Sequence, residues 1–359
     1  MQLSEILAQF SIDLPAKPFG NGNINSTFAV GDPAQYVLQK INTAAFSDPE
    51  GLMENIFAVT AHLRKKILAA GGDPDRETLT FLPTRDGKTF FRDPNGNAWR
   101  VYRFIGDALT YESATPELFA ESARAFGKFQ EMLADFPAQT LHEPIPRFHD
   151  TAARLEQLKE AVEKNAAGRA AGVRAEIDFA LARAADTTLI TSGIRNGSIP
   201  LHVTHNDTKL NNVLFDSRTN RALCVIDLDT VMPGSLLYDY GDALRFGAST
   251  AAEDEPDLSR VHFDLSLFRA YTDAYLGALA GKIVPREVEL LPTSVRLIAL
   301  ELGMRFLTDY LNGDLYFRTH REGHNLDRTR TQFRLVEDIE QKSGELSKIL
   351  SELREKHGV

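Results

Sequence analysis

The chain has little cysteine, little tryptophan and no long apolar run. Of its 359 residues, one is cysteine, Cys224, and one is tryptophan. A single thiol cannot form an intrachain disulfide, which favours a reducing compartment. No window approaches the roughly 20 apolar residues that a membrane helix needs, and no basic segment followed by an apolar one marks a signal peptide. We therefore expect a cytoplasmic protein that does not bind membranes.

An excess of positive charge is also missing. The chain has 40 Lys and Arg residues against 50 Asp and Glu residues, a formal net charge of −10. This balance argues against nonspecific binding to nucleic acid or to anionic membranes. The hydrophobic share of 43% and charged share of 25% are typical of globular proteins. The length allows two domains of ordinary size, and we expect a monomer whose partners are small molecules.

The most informative stretch is HNDTKLNNVLF at 205–215, followed by CVIDLD at 224–229. Apolar runs at 213–215 and 223–226, separated by a turn at 216–220, predict a β-hairpin. Such a hairpin places Asp207, Asn212 and Asp227 at neighbouring strand ends, where their oxygens suit magnesium. In kinases an Asp accepts the hydroxyl proton, and an Asn five residues on and the Asp of the next hairpin hold the metal. We predict these roles for Asp207, Asn212 and Asp227.

Four neighbouring residues have expected roles, two of them with alternatives. Asp229 is a ligand of a second ion, a partner that supports the metal ligands, or a carboxylate hydrogen-bonded to nearby backbone. Lys209 either reaches the transferring phosphoryl group or is a solvated lysine. We expect His205 to brace the loop and Asp239 to accept backbone N–H bonds from it.

The first 105 residues predict a small antiparallel sheet with one helix on it. Turns and periodicity indicate a Gly/Asn-rich turn that leads into a strand within 19–30, a further strand at 36–41 and a helix at 50–70. A three-strand meander is expected at 78–82, 89–91 and 99–105. This is the arrangement of the small lobe of a kinase, so we predict a nucleotide-binding lobe at 1–105.

The remainder, 106–359, predicts a larger and mostly helical lobe for catalysis and acceptor binding. Helical spacing of apolar residues appears in five segments: 118–133, 151–187, 265–276, 287–311 and 331–353. The fold prediction is therefore α+β, a bilobal protein-kinase-like fold.

The segment after Phe19 is a candidate phosphate-binding loop, although it is not a Walker A sequence. Glycine lets backbone N–H groups approach phosphate oxygens closely. The candidate contacts in this loop are Gly20, Gly22, Asn23 and Asn25.

The residue that neutralises the nucleotide phosphates is left open. The usual order in this strand of a kinase is apolar, any residue, apolar, Lys, and aligning 36–41 with it puts Gln39, and not Lys40, on the inward face. Adjacent strand residues point to opposite faces, so only one of the two can partner Glu54. Gln39 can hydrogen-bond phosphate but cannot neutralise it. Tyr102, in the last strand of the sheet, is a further candidate nucleotide contact.

Candidates for binding the acceptor come from the helical part. Asp242 and Phe246 follow the metal segment, and the alternative for both is an ordinary helix start. Arg305 lies among apolar residues on a long helix, where an arginine is costly unless it is paired or binds a ligand. Tyr316 comes just after that helix ends, and either it or Phe246 could pack on the apolar face of a ring.

These residues resemble a known superfamily. Segments 205–212 and 226–229 are similar to the aminoglycoside phosphotransferase and choline kinase superfamily of protein-kinase-like small-molecule kinases. Within it, the chain resembles the bacterial N-acetylhexosamine 1-kinases along nearly its whole length, in segments that include 20–25, 99–102, 148–151, 241–250 and 303–307.

The resemblance implies ATP- and magnesium-dependent phosphorylation of the anomeric hydroxyl of N-acetylglucosamine or N-acetylgalactosamine. It gives Asp207 the base role, Asn212 and Asp227 the metal, and the region of Arg305 and Tyr316 the sugar. One alternative is the same chemistry on choline, homoserine or an aminoglycoside. The other is a non-catalytic sensor that binds nucleotide or sugar.

Overall fold

The first part of the chain forms a six-stranded antiparallel sheet. In this computed structural model, which describes residues 1–20, 25–113, 115–279 and 281–359, the strand order is β1-β2-β3-β6-β4, with β5 also paired to β6. The strands are β1 (Ala16–Pro18), β2 (Ser26–Val30), β3 (Tyr36–Ile41), β4 (Phe81–Leu82), β5 (Phe91–Arg92) and β6 (Ala98–Arg103). The helices of this part are α1 (Leu3–Ala8), α2 (Pro49–Ala69) and α3 (Pro74–Glu77).

The alternation of side chains along β3 and β6 gives the sheet two different faces. Leu38 lies opposite Val101, and both are buried against α1 on the outer face. Gln39 lies opposite Arg100, on the inner face toward α2 and the helical part of the chain. Directly opposite residues of an antiparallel pair share a face. The inner face therefore presents Gln39 and Arg100 side by side.

The predicted meander is wrong. Strands β4 and β5 do not pair with each other; both pair with β6, at Tyr102–Val101 and at Trp99–Ala98 respectively. Each of the two strands has only two residues, whereas β6 has six, so the longer strand holds both along one edge.

The second part is mostly helical and encloses two small sheets. Its helices are α4 (Pro116–Leu133), α5 (Thr151–Lys164), α6 (Arg174–Leu181), α7 (Leu189–Asn196), α8 (Leu236–Gly247), α9 (Leu265–Leu279), α10 (Pro285–Asn312), α11 (His324–Gln341) and α12 (Ser343–His357). Its strands are β7 (Ala108–Leu109), β8 (His202–Thr204), β9 (Val213–Asp216), β10 (Ala222–Val225) and β11 (Met232–Gly234), paired as β10-β9-β7 and β11-β8. The α+β architecture and the β9–β10 hairpin are confirmed. The division after residue 105 stays a prediction.

Two predicted helices are interrupted. The helix expected over 151–187 ends at Lys164 because Asn165 adopts a left-handed conformation, with φ of 42°, and its N–H caps Ala161. The helix expected over 331–353 is divided between α11 and α12 at Lys342, whose ammonium binds the Asp338 carboxylate and the Phe263 carbonyl. Within the described ranges, no helix has both the length and the apolar character required to span a membrane.

Candidate active site

The loop 205–212 leaves β8 and is fixed to the first turns of α8. Both oxygens of the buried Asp239 carboxylate accept backbone N–H bonds, from His205 at 2.9 Å and from Asn206 at 2.7 Å. Asp242 accepts the N–H of Thr208 at 3.0 Å, and the Thr208 hydroxyl donates to the Asp239 carbonyl at 2.6 Å. The expected role of Asp239 is therefore confirmed, and α8 determines where the loop lies.

The same loop is joined to the segment after β10. The His205 ring lies 2.9 Å from the Ile226 carbonyl, and the Thr230 hydroxyl donates to the His205 carbonyl at 2.6 Å. Asn206 has a φ of 65° and donates its side-chain amide to the Thr230 carbonyl at 2.8 Å. His205 thus braces the loop, as expected, and the loops carrying Asp207 and Asp227 are held together by hydrogen bonds.

Asp207 and Asn212 meet across this loop. The amide nitrogen of Asn212 donates to the Asp207 carbonyl at 2.8 Å and to its carboxylate at 3.0 Å. The ammonium of Lys209 lies 2.8 Å from the other carboxylate oxygen of Asp207. Burial lowers the pKa of Lys209, but the Asp207 and Asp242 carboxylates outweigh this effect and raise it above its ordinary value. The loop therefore places a permanent positive charge beside Asp207.

Asp227 is a buried carboxyl group in an acidic environment. Burial, followed by the nearby Asp229 and Asp207 carboxylates, raises its pKa to about 6. Its backbone is left-handed, with a φ of 59°, a conformation that a non-glycine residue holds only when its surroundings impose it. A cation would relieve the repulsion among these carboxylates.

The donor set fits magnesium. Because the Asn212 nitrogen donates to Asp207, the Asn212 side-chain oxygen would be available to hold the ion together with the Asp227 carboxylate. Within the described ranges, no three His, Cys, Asp or Glu side chains form a self-sufficient metal site. Magnesium commonly takes only one or two carboxylates, and water and substrate phosphates complete its shell.

Asp229 is occupied by contacts from the first part of the chain. One carboxylate oxygen accepts a hydrogen bond from Arg100, and the other accepts the Asn25 amide at 2.7 Å. Arg100 also donates two hydrogen bonds, at 2.9 and 2.7 Å, to the side-chain oxygen of Gln39. The side-chain nitrogen of Gln39 in turn donates to the Thr27 hydroxyl at 3.2 Å. The interpretation of Asp229 as an acceptor of nearby backbone N–H groups is wrong, and its role as a ligand of a second ion or as a partner that supports the metal ligands stays a prediction. Its partners are side chains of the sheet.

The expected partnership of Glu54 is wrong. Its side chain is 64% exposed and lies 2.8 Å from the His142 ring, away from Gln39. Lys40 lies on the face opposite to Gln39, beside Trp99 across the β3–β6 pair. Sequence reasoning missed Arg100 as a site residue. The signal available was an arginine in the middle of a strand, among buried apolar neighbours.

The remaining predicted nucleotide contacts within the described residues lie before β2 and in β6. Gly20 is exposed with a φ of 74°, and Asn25 joins Asp229 to the backbone N–H of Asn42, at 2.9 Å. Tyr102 packs against Phe81 on the inner face, with ring centroids 5.1 Å apart. Gly22 and Asn23 lie outside the described residues.

The predicted acceptor residues do not share one cavity. Arg305 and Tyr316 line a cavity of about 500 Å³ between α5 and α10, together with Arg154 and Lys164. Phe246 lines another, of about 340 Å³, beside Arg245.

Asp242 is engaged in local structure. It forms a buried ion pair with Arg245 at 2.9 Å. Burial raises the pKa of the Asp242 carboxyl, but Arg245 and Lys209 outweigh burial and lower it.

The 500 Å³ cavity is lined by both basic and acidic side chains. The Arg305 guanidinium lies over the rings of Phe148 and Phe317, 5.4 Å from each centroid. The buried Nε of Arg154 has no hydrogen-bond partner among the described residues. Burial, followed by the charge of Arg305, lowers the pKa of Arg154. Two carboxylates, Glu160 and Asp309, also line the cavity, and Glu160 is paired with Lys164 at 2.6 Å. Arg154 and Arg305 are therefore the groups that can donate to hydroxyl, carbonyl or anionic oxygens.

One protein-family model matches more than half of the chain. A model described as the phosphotransferase enzyme family, APH, matches residues 15–277 of the chain.

Solved structures of small-molecule kinases share the fold. A microcompartment-associated aminopropanol kinase has a TM-score of 0.58 at 16% identity and covers 96% of this chain and 97% of its own. An aminoglycoside phosphotransferase from Alicyclobacillus acidocaldarius has a TM-score of 0.59 at 13% identity, covering 99% and 96%. A choline/ethanolamine kinase family protein from Mesorhizobium loti has a TM-score of 0.55 at 17% identity, covering 99% of each chain. The predicted protein-kinase-like fold is confirmed.

Proposed function

Because the chain belongs to the phosphotransferase enzyme family, we propose that it is an ATP- and magnesium-dependent kinase that phosphorylates the anomeric (C1) hydroxyl of N-acetylhexosamines. The observation that carries the proposal is the convergence of Asp207, Asn212 and Asp227 on two loops tied together by hydrogen bonds. This is the constellation that phosphoryl transfer uses.

Asp207 acts as the base or orients the acceptor hydroxyl. The bond from the acceptor oxygen to the γ-phosphorus forms as the bond from that phosphorus to the bridging oxygen breaks, and ADP leaves. The hydroxyl proton passes to the Asp207 carboxylate, which Lys209 and Asn212 hold in place. The Lys209 charge also favours the negative oxygens of the transferring group. Positioning and charge neutralisation supply most of the acceleration in this chemistry.

Magnesium would be held by the Asn212 carbonyl oxygen and the Asp227 carboxylate. Bound there, it would neutralise charge on the ATP phosphates. Solved structures with the same fold include an aminoglycoside phosphotransferase bound to ADP and another bound to GDP and kanamycin.

The N-acetylhexosamine assignment rests on the likeness of segments 205–212 and 303–307 to the N-acetylhexosamine kinases. Arg154 and Arg305 in this cavity support a neutral acceptor over an amine, whereas Lys164 is already paired with Glu160. Tyr316 lies in the same cavity and offers an aromatic ring for the apolar face of a sugar.

The test is acceptor-dependent release of ADP with magnesium. The panel contains N-acetylglucosamine, N-acetylgalactosamine, glucose, galactose, choline, homoserine, aminopropanol and kanamycin. We expect turnover on the N-acetyl sugars, with the product phosphate at C1 by phosphorus NMR.

Variants identify the reacting group. Asp207→Asn should lower kcat by about 10²- to 10⁴-fold. Asp178→Asn, an exposed change on α6 that removes an ion pair with Arg174, is the matched control and should keep full activity. Turnover on an amine acceptor instead would reject the sugar. ATP binding without turnover on any acceptor would favour a sensor.

A further inference from the structure

In protein kinases, the nucleotide cleft is organised by an ion pair between a strand lysine and a helix glutamate. In this chain neither partner is in that position. The inward residue of β3 is Gln39, and the Glu54 side chain of α2 is exposed and bound to His142. A cation on the inner face of the sheet is nevertheless present one strand away.

That cation is Arg100 on β6. Its side chain is 2% exposed and is directly opposite Gln39, so both point toward the cleft. Burial disfavours the charged guanidinium, but the Asp229 carboxylate outweighs burial and raises the pKa of Arg100. Gln39 accepts two of its N–H bonds and fixes the plane of the guanidinium group.

The acid that pairs with Arg100 belongs to the metal loop. Asp229 lies two residues after Asp227, and its second oxygen accepts the amide of Asn25, which follows the glycine-rich segment. One carboxylate thus joins three elements: the strand β6, the base of the glycine-rich segment, and the loop that carries Asp227. Each of its oxygens accepts one of these hydrogen bonds, which hold the Asp229 carboxylate toward the sheet.

We propose that Arg100 is the positioning residue of the nucleotide and metal cleft, acting through Asp229 in place of the lysine–glutamate pair. The cation lies on β6 instead of β3, and the carboxylate that pairs with it lies on the loop that carries Asp227 instead of on α2. The pair holds Asp227 at a fixed distance from the sheet that covers the nucleotide. This inference rests on the proposed kinase function.

The experiment measures nucleotide binding and turnover in parallel. Arg100→Met alone leaves a buried, unpaired Asp229, so the principal variant is the double substitution Arg100→Met/Asp229→Asn, which removes both charges together. Arg100→Lys keeps the charge but loses the fork that Gln39 holds, and it serves as the second variant. Arg92→Met is the matched control, an exposed arginine of β5 paired with Glu50 in the same sheet.

We expect the double variant to lower kcat by about 10- to 100-fold, the worth of a charge-assisted hydrogen bond. The magnesium concentration for half-maximal activity should rise by a similar factor, while the KM for the acceptor stays within about twofold. For Arg100→Lys, kcat and the magnesium requirement should lie between those of the double variant and the unaltered protein. For Arg92→Met, both should match those of the unaltered protein. A role confined to stability would lower the melting temperature without moving the magnesium requirement.

Unchanged magnesium dependence and kcat in the folded double variant would overturn the proposal. Calorimetric titration of the unaltered protein and the variants with ADP and magnesium separates this outcome from failure of the proposed function. If ADP binds the unaltered protein but no acceptor is turned over, the acceptor assignment fails. The Arg100 proposal is then tested by the affinity for ADP in the presence of magnesium, which should be weaker in the double variant.

Discussion

Gly241 lies where α8 packs closely against α10, and enlarging it should strain both helices. A Cβ atom at this position would lie 2.8 Å from the Ser294 carbonyl oxygen and 2.8 Å from Cγ1 of Ile298. Ordinary contact begins at 3.4 Å, so α8 would have to retreat by about 0.6 Å (3.4 minus 2.8). The carbonyl is backbone in the middle of a helix and cannot rotate away.

The magnitude follows from two opposing effects of Gly241→Ala. Overpacking a core costs about 1–3 kcal/mol, and the upper end applies because backbone atoms are among the nearest neighbours. Alanine returns about 1 kcal/mol of helix propensity. We therefore expect the free energy of unfolding to fall by about 2 kcal/mol.

Urea unfolding followed by circular dichroism measures this loss. Gly344→Ala is the matched control, because Gly344 lies exposed in α12 and a Cβ atom added there would have no neighbour within 4 Å, so this variant should gain up to about 1 kcal/mol. Since α8 carries Asp239 and Asp242, Gly241→Ala should also lower kcat. Equal stability of the two variants would refute the reasoning.

Three further predictions concern single residues. Asn55→Ala removes hydrogen bonds to both backbone groups of His142 and to the Val231 carbonyl, and should cost about 3 kcal/mol by thermal unfolding; a loss below about 0.5 kcal/mol would contradict this. The raised pKa of Asp227, about 6, means that its ionised form costs stability, so without metal this group adds stability as the pH falls through 6. Magnesium must then compete with a proton, so its stabilising effect should shrink between about pH 8 and about pH 5.5, and Asp227→Asn should abolish both trends. Burial raises the pKa of the Cys224 thiol, so iodoacetamide should alkylate it only after unfolding; alkylation of the native protein at the unfolded rate would disprove this.

The elements predictable from sequence were those that neighbouring residues determine. The β9–β10 hairpin follows from two apolar runs and one turn, and the Asp207–Asn212 contact follows from a spacing of five residues. The start of α5 at Asp150 follows from a capping residue, whose carboxylate accepts the N–H of Ala153.

The parts that were missed depend on residues far apart in the chain. Arg100 and Asp229 are 129 positions apart, and nothing local to either residue identifies the other. The Glu54 side chain contacts His142, 88 positions away in the chain, instead of a residue of β3. The end of α5 depends on Asn165, which adopts a left-handed conformation. The alanine-rich segment 165–185 has a favourable helix propensity and therefore predicts a continuous helix there.

The position of the Arg100–Asp229 pair bears on how such an enzyme can be controlled. Where the acid of the pair lies on a helix, movement of that helix makes or breaks the pair and thereby switches the enzyme. Here α2 contributes neither partner and is tied by Asn55 to the Val231 carbonyl. The contact of α2 with the pair is through Met53, whose sulfur lies 3.9 Å from the Arg100 guanidinium. Movement of α2 would therefore disturb the packing around the pair without removing its acid, in contrast to kinases whose acid lies on the helix.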